Sequence, residues 1–344
     1  SGLGTTVTRH FKGLDLYVGV DGDNEAYTYQ PVFGWQTLWN ANTKIGIQST
    51  NEAAIQYRVQ TGYEAFIATN YAVEHQVCSH LALSWRADYH KAGLNAYIQN
   101  NIYTQVDTLL APRHAIRIEP FYEFETKYLR VHAGMNINMN ISSGTYLSSI
   151  PGLTFAPSPN IEVEGHVLNN MLHPYLNAKG KLDVGTMEEY LGYNRFLDIP
   201  AGLLSRELRN YTPADIQLGM KIRPINTLLI DVYGGYAYTI AANHMFVGMD
   251  SISVTDYSMR QTNYQRWKIG AAVHYHYRDI VELNASGNYY FWVAKQTVYD
   301  RPDWDIKARL DVHINSKWSI YSDNYFAGSR MAATMQGDKR IQPI

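Results

Sequence analysis

Two histidines set one residue apart carry the most suggestive chemistry in this chain. In "HYH", His274 and His276 fall on one face if the backbone is extended, and an i, i+2 imidazole pair can chelate a metal ion. Local spacing ties no carboxylate or third histidine to them, although Glu282 and His313 lie on nearby segments. A hydrogen-bonded pair in a polar interior is the plainer reading. The histidines of "HLALSWRADYH" (80–90) and "GHVLNNMLHP" (165–174) lack ligand spacing. Asp88 with His90, and Asp311 with His313, are spaced to orient one another, but ordinary salt bridges explain them better. There is no G-x-S-x-G elbow and no phosphate-cradling glycine loop. Cys78 is the only cysteine, so an internal disulfide and a cysteine-built zinc site are excluded. Catalysis and a bound cofactor are therefore not expected.

The elements that would position these residues alternate in polarity. "LRVHAGMNINMN" (129–140) sets Leu129, Val131, Ala133, Met135, Ile137 and Met139 against Arg130, His132, Gly134, Asn136, Asn138 and Asn140. The pattern recurs at 80–89, 214–222, 267–278 and 304–314. Period two over such lengths predicts strands with one apolar and one wet face. Short connectors are expected at Ser49–Glu52, Lys91–Gly93, Glu125–Lys127, Pro224–Asn226, Arg278–Ile280 and Asn315–Lys317. Longer polar connections are expected at 64–79, 141–160, 186–212, 240–266 and 293–303. About seven hairpins, with a further strand near Leu14–Val20, give roughly fourteen to sixteen strands.

Composition decides what those faces meet. The 344 residues carry 17% charged side chains, 28 tyrosines, 10 methionines, 7 tryptophans and a net charge of −2. Mean hydropathy is −0.30. Nothing here calls for a nucleic-acid partner. No apolar run approaches the roughly 18 residues of a spanning helix, which leaves barrels open. The apolar registers of the alternating segments contain no Asp, Glu, Lys or Arg, while their polar registers carry both signs. A soluble sandwich also alternates, but on shorter strands packed against a second sheet. Lipid explains the missing charges, since one costs about 2–4 kcal/mol at the bilayer midplane. An open sheet cannot keep unpaired edges in lipid. The expected fold is an all-β transmembrane antiparallel up-and-down barrel in one domain, 1–344, with lipid or lipopolysaccharide outside and a polar interior. Tyr89, Tyr122, Phe124, Tyr236, Tyr238, Trp267, Tyr275, Tyr277, Tyr289, Phe291 and Trp304 fall toward the ends of the apolar registers, where an interfacial girdle would form.

The polar registers nominate the lumen lining: Arg117, Glu119, Glu123, Arg130, His132, Lys268, His274, His276, Arg278, Asp305, Lys307, Arg309 and Asp311. Mixed charges of this kind can set a transverse field in a pore or simply cross-link the wall. The stretch 186–194, which holds "TMEEYLGY", has helical spacing at Met187, Tyr190 and Leu191, suited to plugging or gating the lumen or to docking.

The phrases "SGTYLSSIPGLTFAPSPNIEVEGHV" (143–167), "HPYLNAKGKLDVG" (173–185) and "TMEEYLGYNRFLDIPAG" (187–202; Thr186 opens the segment) resemble plug-less, TonB-dependent-receptor-like outer-membrane barrels of the Bacteroidota. The resemblance spans roughly residues 40–344. It implies a bacterial outer-membrane location, short periplasmic turns and longer extracellular loops. Residues 1–40 resemble neither a plug nor a TonB-contacting segment, and "SGLGTTVTRHF" lacks the apolar stretch of a signal peptide. The ending "DKRIQPI" lacks a terminal aromatic strand, so a closing hairpin is expected to be missing. Two functions follow: a barrel that passes or receives a solute of unknown identity, or an accessory subunit that docks to an outer-membrane protein partner. An outer-membrane enzyme comes last.

Overall fold

A computed structural model describes residues 2–343 except 30–33, 50–53, 69–71, 105–111, 143–152, 190–208, 251–252, 279, 300, 316–317 and 335–336. The chain is almost entirely strand. The first eight strands are β1 (Gly2–Phe11), β2 (Leu14–Tyr29), β3 (Gly34–Ser49), β4 (Ile55–Ala68), β5 (Ala72–Ala87), β6 (His90–Thr104), β7 (Arg113–Glu125) and β8 (Leu129–Ser142). Next come β9 (Leu153–Gly165), β10 (Leu172–Val184), β11 (Arg209–Ile225), β12 (Leu228–Asp250) and β13 (Ser253–Tyr277). The series ends with β14 (Val281–Ala294), β15 (Trp304–Asn315), β16 (Trp318–Ala327), β17 (Arg330–Thr334) and β18 (Gly337–Ile341). Strands β1 to β16 form one antiparallel sheet in sequence order, each paired to the next, while β17 and β18 make a separate hairpin.

The two faces of that sheet show how it curves. On one face Leu218 is 65% exposed, Trp85 53% and Ile269 59%; on the other Asn101 and Asn140 are each 1% exposed. A flat sheet would expose both faces alike. Crowding of the polar face and openness of the apolar one mean that the sheet rolls with its polar side inward, the barrel arrangement expected of a lipid-facing wall. The registers agree with the alternation in sequence. Met135 and Ile137 point outward, whereas Asn136, Asn138 and Asn140 are buried inside. Arg9 of β1 lies on the outer register, close to its turn and with its guanidinium 5.1 Å from the Phe11 ring. That position lets the long side chain reach the interface.

Short and long connections alternate between β5 and β12, as expected, but not between β3 and β5 or at β12–β13, and several positions shift. The predicted connector Lys91–Gly93 lies inside β6, and the turn sits at Asp88–Tyr89, with Asp88 in the left-handed region (φ 48°). Asp tolerates that conformation through its short polar side chain. The expected long connection 64–79 is mostly β4 and β5, and 240–266 is mostly β12 and β13, of 23 and 25 residues. The expected strand near Leu14–Val20 lies within β2, with β1 before it, and the residues of "DKRIQPI" contribute to β18 instead of stopping short of a strand. Strands β1 and β16 share no ladder among the described residues. An edge of unpaired backbone cannot persist in lipid, so these two edges must pair in the membrane, with each other or with another strand.

Inside the wall, glycines make room for rings. A Cβ on Gly219 would lie 2.5 Å from the Tyr175 ring of the adjacent strand. Tyr175 in turn donates from its hydroxyl to Asp231 at 3.0 Å and accepts from Gln217 at 2.8 Å. Gly219→Val should expel this ring and break the bridge between β10 and β12. Overpacking of this kind costs about 1–3 kcal/mol. Urea unfolding in detergent should show a lower midpoint, with Gly219→Ala less affected than Gly219→Val.

Candidate lumen site

The inward ladder of β6 to β9 converges on Glu119. This carboxylate is 7% exposed, accepts from Asn95 Nδ2 at 3.2 Å and from Asn160 Nδ2, and lies 3.6 Å from His132 Nε2. The other nitrogen of the ring, His132 Nδ1, is 3.2 Å from Glu123, which also pairs with Lys91 at 3.2 Å. Beside it the Arg117 guanidinium sits 4.0 Å from the Tyr97 ring centroid, and Tyr97 stacks on His80 at 4.2 Å. Three of the nominated residues, Glu119, Glu123 and His132, are thus brought into one continuous network, and Arg117 lies next to Glu119 at a cavity that both border. Arg130 lies on the same inner face, opposite Glu164 in the β8–β9 ladder.

The remaining nominees sit on β13 to β15. Lys268 donates to Gln217 at 2.6 Å. His274 bonds Asn284, whose amide donates to Glu282 at 2.9 Å. The His274 and His276 rings lie 6.4 Å apart, and among the described residues they join no cluster of metal-ligating groups. Asp305 accepts from Asn288 at 2.8 Å and Tyr290 at 3.1 Å. Lys307 lies over the Tyr325 ring at 5.6 Å, and Arg309 donates to Asp311 at 2.8 Å. Arg278 departs from its expected place: it occupies the turn after β13 with φ 50°, its guanidinium 5.2 Å from the outward Tyr277 ring. A residue one step past the strand no longer follows the alternation.

Two cavities open on this lining. One, of about 480 Å³, is bordered by Glu64, His80, Arg117, Asp183, Glu188 and Glu189. The other, of about 510 Å³, is bordered by Arg117, Lys179, Lys181, Arg266 and Arg301 with Glu119, Asp183 and Asp215. Arg117 and Asp183 belong to both. The first is acidic and the second basic. In the second, Arg266 binds Asp215 at 2.6 Å through one terminal nitrogen, yet the Nε atoms of Arg117, Arg266 and Arg301 have no hydrogen-bond partner. Buried donors left in this way favour an acceptor entering the cavity.

A segment between β10 and β11 closes over the acidic cavity. Thr186 Oγ1 accepts from the Glu189 backbone N–H at 3.1 Å, and Glu189 Oε2 accepts from the Thr186 N–H at 3.2 Å. This reciprocal pair is a capping box on the helical turn 187–189. The T-x-x-E spacing was a signal in the sequence for this turn. Met187 is 3% exposed, and its N–H donates to Glu74 of β5 at 2.7 Å. Glu188 accepts from Asn40 of β3 at 2.7 Å. The turn therefore reaches across the lumen to the opposite wall, which favours plugging over docking for these residues. Tyr190 and Leu191, expected to continue it, lie outside the described residues. Burial, followed by a hydrogen bond and charge repulsion from Glu64, pushes the Glu188 carboxyl up to about 7; Asp23 adds to the shift and Asn40 opposes it.

No protein-family model matches the chain, and no curated protein matches it in sequence. Its fold is that of solved outer-membrane receptors. The siderophore receptor PirA from Acinetobacter baumannii has a TM-score of 0.68 at 7% identity, over 100% of this chain and 62% of that one. The FrpB iron transporter from Neisseria meningitidis gives 0.67 at 6%, over 100% and 63%. The copper transporter OprC gives 0.65 at 10%, over 95% and 58%. This chain therefore spans less than two thirds of the length of each. At these identities the likeness is one of fold: the barrel wall of TonB-dependent receptors.

Proposed function

We propose that this chain is the barrel wall of a bacterial outer-membrane receptor that admits a solute through its polar interior. The observation that carries the reading is the inverted burial. Aliphatic rows face outward and exposed, while charged networks and two cavities of several hundred cubic ångströms occupy the inside. Such a wall has no use in water and suits a membrane with a wet pore. The phrases at 143–167, 173–185 and 187–202 extend the proposal to receptor-like barrels of the Bacteroidota. Solutes bearing an anionic group fit the basic cavity, where the unpaired Nε atoms of Arg117, Arg266 and Arg301 supply donors. Catalysis is not part of the reading.

Planar-bilayer recording of the full-length protein tests it. The expected result is a stable conductance that falls when an anionic solute occupies the lumen. Arg117→Gln with Arg266→Gln should weaken that block at least tenfold, since each lost charge-assisted bond is worth about 1.5–3 kcal/mol. A permanently sealed lumen would sink the transport reading and favour an accessory subunit that docks to another outer-membrane protein.

A further inference from the structure

A second constellation lies at the opposite rim of the barrel, in the β9–β10 hairpin, and the lumen network does not use it. Glu164 is the last residue but one of β9, His166 begins the turn and His173 is the second residue of β10. One ligand atom from each lies within 4.8 Å of the others. The ladder makes this meeting inevitable: Tyr175 pairs with Glu164, which sets His173 diagonally beside the carboxylate on the same inner face. Outside the ladder, Leu168, Asn169 and Asn170 all adopt left-handed φ angles, 49°, 53° and 66°, and fold the turn back on itself. That fold aims the Asn170 carbonyl at His173 Nε2, 2.9 Å away.

The tautomer follows. A carbonyl only accepts, so Nε2 carries the hydrogen and a neutral ring presents a bare lone pair at Nδ1. His173 is 8% exposed, and Nδ1 has no hydrogen-bond partner. It faces Glu164 Oε1 at 3.4 Å. Two lone pairs directed at one another in a buried place repel, and a cation held between them removes that repulsion. A bridging proton would draw the atoms to about 2.7–2.9 Å. A tetrahedral zinc-class ion with bonds near 2.0–2.1 Å holds neighbouring ligand atoms about 3.3 Å apart, close to the separation observed. The His166 ring lies 4.8 Å from that of His173, edge to face, on the third side. Glu164 Oε2 is meanwhile held by Lys221 at 2.7 Å, which orients the carboxylate and leaves Oε1 for the ion. The bond from His173 to a backbone carbonyl is the outer-shell support that metal-ligating histidines commonly have.

We propose that Glu164 Oε1, His173 Nδ1 and a ring nitrogen of His166 form a binding site for a borderline divalent transition metal ion, with a fourth position open to water. Two imidazoles and one carboxylate suit the zinc class and exclude calcium and magnesium, which take oxygen ligands. The ion clamps the turn to the wall at the end with the short connections, and its binding is independent of solute in the lumen.

The test is zinc titration of the full-length protein in detergent, against a competing chromophoric chelator, with cobalt as a spectroscopic substitute. One zinc per chain is expected, and cobalt should give the intense visible bands of a four-coordinate site. His166→Gln lies in the turn, outside any strand, and should weaken binding at least tenfold while heat-modifiable gel migration stays normal. His173→Gln and Glu164→Gln should do the same. The pair His274→Gln and His276→Gln should leave the affinity unchanged. Unaltered stoichiometry and affinity in His166→Gln would overturn the proposal, as would failure of the folded wild-type barrel to bind one zinc.

Discussion

Met135→Arg is expected to reduce the folded, heat-modifiable fraction in outer-membrane-like vesicles by tenfold or more, while Ser286→Arg leaves it nearly unchanged. Met135 stands at the middle of β8 on the outward register and is 46% exposed, which in the membrane means exposed to acyl chains. An arginine there is too far from either interface to reach it without distortion, and the cost is about 2–4 kcal/mol. Ser286 stands on the inward register of β14, opposite Lys307, and borders a lumen cavity of about 350 Å³ that also contains Asp231 and Asp323. A guanidinium placed there meets water and the Asp231 and Asp323 carboxylates, which offset the neighbouring Lys307 and Arg309. Equal loss from both substitutions would mean that the two faces have been exchanged or that neither meets lipid.

Ser286, not the neighbour of Met135 in sequence, is the sound inward control, and the reason shows where sequence reading ends. Alternation assigns Asn136 to the wet face, and that face is indeed inside. Its amide, however, is buried, donates to the Gly180 carbonyl at 3.2 Å and borders the basic cavity, so an arginine would break that bond and join Arg117, Lys179, Lys181 and Arg266. Polarity is written in the period of the chain; the partners and charges that surround a side chain depend on which strands end up adjacent. The same division explains the strand ends. Residues 64–79 read as a loop because their polarity loses its period: Glu64 and Glu74 point inward, while outward His75 bonds the Tyr63 hydroxyl at 2.7 Å. Beyond the lipid both faces are wet, and alternation has no reason to continue although the ladder does. Gly93 reads as a turn residue because glycine marks turns, yet it lies inside β6. Its actual use is to admit Phe121, whose ring would lie 2.6 Å from a Cβ there. His166 and His173, seven positions apart, show no ligand spacing; only the β9–β10 register brings Glu164 beside them.

The turn at 187–189 should make the pore sensitive to pH, closing it in acid. Glu188 is docked against Asn40 and Glu64, with Asp23 behind, and its carboxyl is held up at about 7. An acid whose docked value lies above its ordinary 4.5 favours docking most when protonated. The stabilisation is full below about pH 4.5 and is lost as the pH rises through 7. Above that, two carboxylates face one another and the turn is pushed from the wall, opposed by the Met187 N–H bond to Glu74. Discounted for solvent screening of a half-buried group, the swing is on the order of 1 kcal/mol, or about fivefold in the undocked population. Single-channel recordings should therefore show mean conductance rising about fivefold between pH 6 and pH 8. In Glu188→Gln the amide can donate to Glu64 at every pH, so the conductance should stay at its acid level throughout. Glu74→Ala removes the acceptor for Met187 and should raise conductance even at pH 6. A pH response that survives Glu188→Gln would place the titrating group elsewhere in the lumen and release this turn from the role of gate.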